Sequence, residues 1–214
     1  MMHAHFGADV VSARRSRFLA EAESARLEKR ARKGRPSGAE PAGRQASFAV
    51  RTLEPADAEH LRALFGRLSP RSRWLRYLAP LRTLSEPALR RLAAIDHERH
   101  EALGAFDEGE LVAVAHYFRD PQDPTQAEIS VEVADSHQRR GIGPRLLNEL
   151  AVTARQRGIT AFSATALREN VGVLAMVHSS DWPSVVRPSG PEIDIALTLP
   201  DITARPVALL RPCS

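Results

Sequence analysis

At 214 residues, 43% of them hydrophobic and 26% charged, the chain is long enough for one domain with a proper core and a tail besides. No apolar run approaches the ~18 residues of a membrane span, "MMHAHFGADVVSARRSR" lacks a signal-peptide core, and the lone Cys213 has no partner for a disulfide, so a cytoplasmic protein with no membrane partner is expected. The formal charge of +4 is uneven: residues 1–45 hold ten Arg and Lys against five Asp and Glu, and the remainder holds twenty against twenty-one, which disfavours a general nucleic-acid-binding domain.

Residues 1–45, poor in large apolar side chains and broken at "GRPSGAEPAG", are expected to be disordered or loosely helical, and any polyanion would engage their arginines. A folded domain is expected over 46–199, with a tail at 200–214. "SFAVRTL" alternates Phe48 and Val50 against polar neighbours and reads as a strand. Pro55 opens the helix "PADAEHLRALFGRL", with Leu61, Leu64, Phe65 and Leu68 on one stripe. Ser69 and Pro70 cap and start a second helix, "SPRSRWLRYL", predicted to turn Trp74, Leu75 and Leu78 inward. "SEPALRRLAAI" is a third short helix. The strands "HEALGAF" and "ELVAVAHYF" are joined by Asp107-Glu108-Gly109, a hairpin signal.

"DHERHE" gathers histidines and carboxylates, but His97 and His100 are three apart and the glutamates do not fall as in His-Glu-x-x-His, so no metal is expected. Asp96 and His100 are read instead as holding the connection to the substrate side.

The loop "DPQDPTQ" leads to "AEISVEVAD". Ala127, Ile129, Val131 and Val133 fall on one face of this strand and Glu128, Ser130 and Glu132 on the other. It runs straight into Gln138-Arg139-Arg140-Gly141-Ile142-Gly143, after which "PRLLNELAVTARQRG" reads as an amphipathic helix ended by Gly158. A strand, "ITAFSATAL", then a helix, "RENVGVLAMVHSS", and a hairpin, "SVVRPSGPEIDIALTL", complete the order β-α-α-α-β-β-β-α-β-α-β-β.

Glycines at a strand-to-helix junction suit phosphate, because the first amides of a helix lack intrahelical partners. A dinucleotide fingerprint would need a small residue where Leu146 stands, and a Walker loop would need Gly-Lys-Ser/Thr. The pyrophosphate loop of acyl-CoA-dependent N-acyltransferases, Q/R-x-x-G-x-G/A, fits at each defined position, and an ordinary glycine turn stays open beside it.

Over residues 47–199 the order of elements and this loop resemble the GNAT superfamily of N-acetyltransferases. "LSPRSRWLRYL", "IDHERHEALGAF", "AEISVEVADSHQRRGIGPRLL" and "ATALRENVGVLAMVHSSDW" are similar to segments of the bacterial protein lysine acetyltransferases, in the same order. The resemblance implies a mixed α/β GNAT fold: a central, mostly antiparallel sheet splayed between its fourth and fifth strands, with flanking helices. It also implies acetyl-CoA as cosubstrate, with the pantetheine arm along the backbone near Val131 and Val133. The pyrophosphate would lie on the amides of Gln138, Arg139, Arg140, Gly141, Ile142, Gly143 and Arg145, and Asn170 would contact the cofactor arm or cap its helix.

An amine with pKa near 10.4 is protonated at neutral pH, so a base is required. Glu128 matches the family's catalytic glutamate, and Glu132 is the second choice. Many members protonate the leaving thiolate with a tyrosine where Val177 stands here; His178 is the adjacent substitute, and the thiolate can also leave without an acid. The expected acceptor is a protein lysine whose acidic surroundings suit the arginine-rich second and third helices; the alternatives are a small amine and a non-catalytic acyl-CoA-binding module.

Overall fold

A computed structural model describes residues 48–201; the expectations for 1–45 and for the tail beyond 201 lie outside the described residues. Seven strands form one sheet: β1 (Ala49–Thr52), β2 (His100–Asp107), β3 (Glu110–Arg119), β4 (Gln126–Val133), β5 (Ala161–Leu167), β6 (Ser184–Ser189) and β7 (Glu192–Thr198). Five α-helices accompany them: α1 (Ala58–Gly66), α2 (Pro70–Tyr77), α3 (Glu86–Ala93), α4 (Ile142–Gln156) and α5 (Val171–Ser179). The order along the chain is the expected one. Among the described residues no helix is long and apolar enough to cross a membrane.

The sheet runs β1-β2-β3-β4-β5-β7-β6, and every neighbouring pair is antiparallel except β4 with β5. One core lies between the sheet and α4, where Leu146, Leu147, Leu150 and Ala154 meet Ile129, Tyr117, Phe162 and Ile195. A second lies on the opposite face, where Leu61, Leu64, Phe65 and Leu89 of α1 and α3 meet Ala102, Leu111 and Val114. Covered on both faces, β2 and β3 are almost wholly buried, which is why neither alternates in sequence.

The β2–β3 turn forms at Glu108 and Gly109, both with positive φ. Helix α2 departs from expectation. Ser69 caps it by accepting from the Ser72 amide at 3.2 Å, but none of its residues is buried and Trp74 faces outward, 39% exposed. Its inward contact is Tyr77, edge-on to Phe65 at 5.4 Å. A period-3.6 stripe could not be told apart from a helix lying on polar strand residues.

At the edge of the first core, by the C-terminal end of α4, runs a buried ionic seam. Glu101 is 1% exposed and its carboxylate takes bonds from the Arg157 guanidinium, the Ala102 amide (3.0 Å) and His97 Nδ1 (3.0 Å). Arg157 also donates to the hydroxyl of fully buried Tyr117 at 2.9 Å. The other nitrogen of His97 faces Glu54 at 3.2 Å, so both ring nitrogens must donate, and the two carboxylates raise the imidazole's pKa.

Two outcomes are expected. Arg157→Ala leaves a buried carboxylate without its cation and should lower stability by about 3 kcal/mol in urea unfolding. His97, with its pKa raised on folding, contributes stability that is complete below the unfolded value of about 6.5 and disappears as pH rises through the folded value. The melting temperature of the parent protein should therefore fall relative to His97→Gln between roughly pH 6 and 8.

Candidate active site

The parallel pairing of β4 with β5 is brief. It covers Gln126, Ala127 and Glu128 against Ala161, Phe162 and Ser163, and then the strands part. On its other edge β4 stays paired with β3 along its length, and the Ala134 amide donates to the Val112 carbonyl at 2.9 Å. Antiparallel ladders alternate, so Glu128, Ser130 and Glu132 bond to β3; the Ile129 N–H closes the parallel pairing at Ser163, and the Ile129 C=O and the N–H and C=O groups of Val131 and Val133 point toward the gap. Val131 and Val133, expected from the resemblance beside a pantetheine arm, thus offer a vacant strand edge.

The glycine loop closes the wide end of that gap. Gly141 stands at the N-cap of α4 with φ 76°, a left-handed conformation that a Cβ would disfavour. Arg139 shares it, with φ 61°. Ile142 and Gly143 are the first helical residues, and their amides have no intrahelical acceptor. At both ends the expectation needs adjusting: the Gln138 amide donates to the Asp135 carbonyl at 3.4 Å, the Arg145 amide donates to the Gly141 carbonyl at 3.2 Å, and Pro144 has no N–H, so the available donors run from Arg139 to Gly143.

The Arg145 side chain bonds Glu149 at 2.9 Å and stacks over Phe48 at 4.7 Å, whereas Arg139 and Arg140 are exposed in the loop. Gln138 donates to the Val133 carbonyl at 3.1 Å and to Ser72 Oγ at 3.3 Å. A Cβ on Gly143 would project between Met176 Sδ (3.6 Å), Val131 Cγ1 (3.7 Å) and Val133 Cγ2 (3.8 Å), into the gap itself. Across from the loop, the carboxamide oxygen of Asn170 caps α5 by accepting from the Val173 amide at 3.2 Å.

Glu128, half-buried, is the last residue of β4 to pair with β5, at the apex where the gap opens. Cross-strand partners share a face, so its neighbours on the side away from α4 are Phe118 and Ser163. Four residues along, Glu132 is buried, and the Tyr77 hydroxyl donates to it at 2.7 Å with Arg76 Nε at 3.7 Å. Burial pushes its carboxyl upward in pKa, against the opposing pull of Arg76 and Tyr77. Arg76 also donates to Ser130 Oγ at 2.8 Å. Sequence reasoning passed over Arg76 and Tyr77; the available signal was a short helix without a clean apolar stripe facing a strand with a polar face.

His116 pairs across from Ser130 and was also passed over. His100 Nδ1 lies 3.0 Å from the Ala94 carbonyl, which can only accept, so the proton is on Nδ1 and Nε2 receives the His116 Nδ1 proton across 2.9 Å. Burial lowers both pKa values, so the pair is a neutral polar seam stacked on Phe118. Asp96 accepts from the amides of Glu98, Arg99 and His100 (3.0, 2.7 and 2.8 Å) and shapes the entry to β2. Among the described residues, no group of three or more His, Cys, Asp or Glu is arranged to hold a metal.

Val177 is packed in the core, and His178 is exposed, with Nδ1 donating to the Leu174 carbonyl at 2.6 Å. On the α2 side an open cavity of about 500 Å³ is lined by Trp74, Leu167, Arg168, Glu169 and Pro191.

Residues 68–178 match the family described as acetyltransferase (GNAT). The chain is 32% identical over 130 residues to Acetyltransferase Pat of Mycolicibacterium smegmatis, an alignment covering 59% of this chain and 38% of that protein. It is also 32% identical over 113 residues to Acetyltransferase PA5475 of Pseudomonas aeruginosa, covering 51% and 60% respectively. The chain therefore spans less than two thirds of these curated relatives. Among solved structures, the GNAT domain of S. lividans PAT superposes with TM-score 0.66 at 27% identity, covering 71% of this chain and 90% of that one. The yncA acetyltransferase of Salmonella typhimurium, solved with acetyl-CoA, shares the fold with TM-score 0.59 at 18% identity, over 76% and 99% of the two chains.

Because the added methyl meets only ordinary van der Waals contacts yet stands in the gap, Gly143→Ala should leave the melting temperature nearly unchanged. Its affinity for coenzyme A, read by calorimetry, should fall roughly tenfold, a loss of about 1.4 kcal/mol.

Proposed function

This chain belongs to the GNAT acetyltransferase family, and we propose that it transfers the acetyl group of acetyl-CoA to the side-chain amine of a protein lysine, with Glu128 as general base. The observation that carries the reading is the vacant edge of β4 running from Glu128 to the amide-lined loop at Arg139–Gly143. A thioester laid on that edge pairs with the outward N–H and C=O groups of Val131 and with the N–H of Val133, and its two phosphates meet the start of α4, where the helix dipole favours anions. The acceptor approaches from the α2 side, past Trp74 and Glu169.

Glu128 takes one proton from the ammonium, the free amine forms the N–C bond as the C–S bond breaks, and the second proton, released from the acylated nitrogen, goes to solvent water. Coenzyme A leaves as the thiolate; neither buried Val177 nor outward-turned His178 protonates it in this scheme. Glu132 has a different role. Its carboxylate receives Tyr77 and Arg76 and holds α2 against β4.

Lysine as acceptor follows from the resemblance to the lysine acetyltransferases and from the relatives named Pat. The electrostatic argument for it loses ground, since two of the α2 arginines are used internally: Arg73 stacks on Phe65 at 4.5 Å and donates to the Arg82 carbonyl, and Arg76 is tied to β4.

Incubation with labelled acetyl-CoA and a panel of proteins, spermidine and an aminoglycoside tests the acceptor; label entering only the small amines overturns lysine. Glu128→Gln keeps shape and removes basicity, so turnover should fall roughly 10²–10⁴-fold with coenzyme A affinity within a few-fold. Full activity in Glu128→Gln, lost instead in Glu132→Gln, would transfer the base to the other carboxylate.

A further inference from the structure

Helix α2 is only two turns long and has no buried residue, so packing alone does not hold it in place. Polar contacts hold it at both ends. At its C-terminal end Arg76 and Tyr77 reach Ser130 and Glu132 on β4. At its N-terminal end one carboxylate takes three bonds: Asp135 Oδ2 accepts from the Ser69 amide at 2.8 Å, and Oδ1 accepts from the Ser69 and Ser72 hydroxyls, each at 2.8 Å.

Asp135 does not belong to the acceptor side. It opens the 3-10 turn Asp135–His137, which joins the end of β4 to the loop at the start of α4. From that loop Gln138 adds a second tie, donating both to Ser72 Oγ and to the Val133 carbonyl at the rim of the gap. The connector between β4 and the anion-binding amides is therefore also the mooring of the helix that brings Trp74, Arg76 and Tyr77 to the opposite side of the sheet.

We propose that Asp135 is a positioning residue through which coenzyme A bound on the loop stiffens α2, so that acyl donor and acceptor favour each other's binding. This rests on the acetyl-CoA reading given above. Phosphate seated on the amides of Arg139–Gly143 removes freedom from the loop, and Asp135 and Gln138 pass that restriction to Ser69 and Ser72. An acceptor meeting an already ordered α2 then loses less conformational entropy on binding, and by linkage it strengthens the donor's binding equally.

Hydrogen exchange on the full chain, with free coenzyme A as the probe, tests this. The reporters are the α2 amides, including Arg73 N–H to Ser69 O and Leu78 N–H to Trp74 O. Saturating coenzyme A should slow their exchange by about 5-fold or more, the lower end of typical site-to-site coupling. In Asp135→Asn, which turns one acceptor oxygen into a donor facing donors, coenzyme A should still protect the loop while α2 gains little. Ser72→Ala, which removes one hydroxyl bond and the Gln138 tie, should show the same loss in part, and it decides the matter if Asp135→Asn does not fold.

Protection of the loop with α2 unchanged in the parent protein would overturn the proposal. So would an Asp135→Asn protein whose α2 exchanges faster in both states but slows on binding by the parent's factor, since that is a merely structural role. Failure of the parent to bind coenzyme A at all would instead bring down the acetyl-CoA reading on which the coupling stands.

Discussion

Backbone amides and carbonyls inside a sheet need partners, and β4 withholds five residues' worth of pairing from β5. Strand β4 sits in the middle of seven strands, paired along its whole length with β3, yet it meets β5 only over Gln126–Glu128. From the Ile129 carbonyl onward its outward groups line an opening and not a ladder. Such an edge is costly to leave dry and well suited to an extended chain of hydrogen-bonding groups, which is what a pantetheine arm is. The glycine loop, the start of α4 and the carboxylate at the apex are all placed by that divergence.

Two glutamates on one face of β4 illustrate how position decides chemistry. Glu128 stands where the strands part and is half-buried beside Phe118 and Ser163. Glu132 is buried under α2, with a phenol and a guanidinium upon it, and its raised pKa reflects the burial. A raised pKa on a carboxylate is often taken as a mark of a catalytic base. Here the raised value belongs to Glu132, a carboxylate already engaged in holding a helix.

Several of the arginines likewise serve the fold and not a basic face. Arg73 lies on Phe65, Arg76 spans Ser130 and Glu132, Arg157 neutralises Glu101, and Arg119 donates to the Arg157 carbonyl. A planar guanidinium can bond in its plane and stack on its face, so it fills sites that a lysine would not. Counting these residues as a basic surface would overstate the field an acceptor meets.

Local signals decided much of the fold: the caps at Ser69 and Pro70, the turn at Glu108-Gly109, the left-handed Gly141 and the alternation of Ala127 through Val133 are each properties of a few neighbouring residues, and each determines its own element. The order of elements and the loop motif together pointed to the family, and Glu128 and the loop residues came forward through that resemblance. Tertiary structure decided what spacing cannot carry. Where β4 and β5 separate depends on the register of a parallel pair whose partners are 35 residues apart, Glu128 against Ser163. The outward turn of Trp74, the neutral His100–His116 pair and the Asp135–Ser69–Ser72 mooring all join residues distant in sequence, and no local periodicity encodes them. A chain writes its elements into adjacent residues, but the contacts between elements exist only once the sheet has brought their faces together.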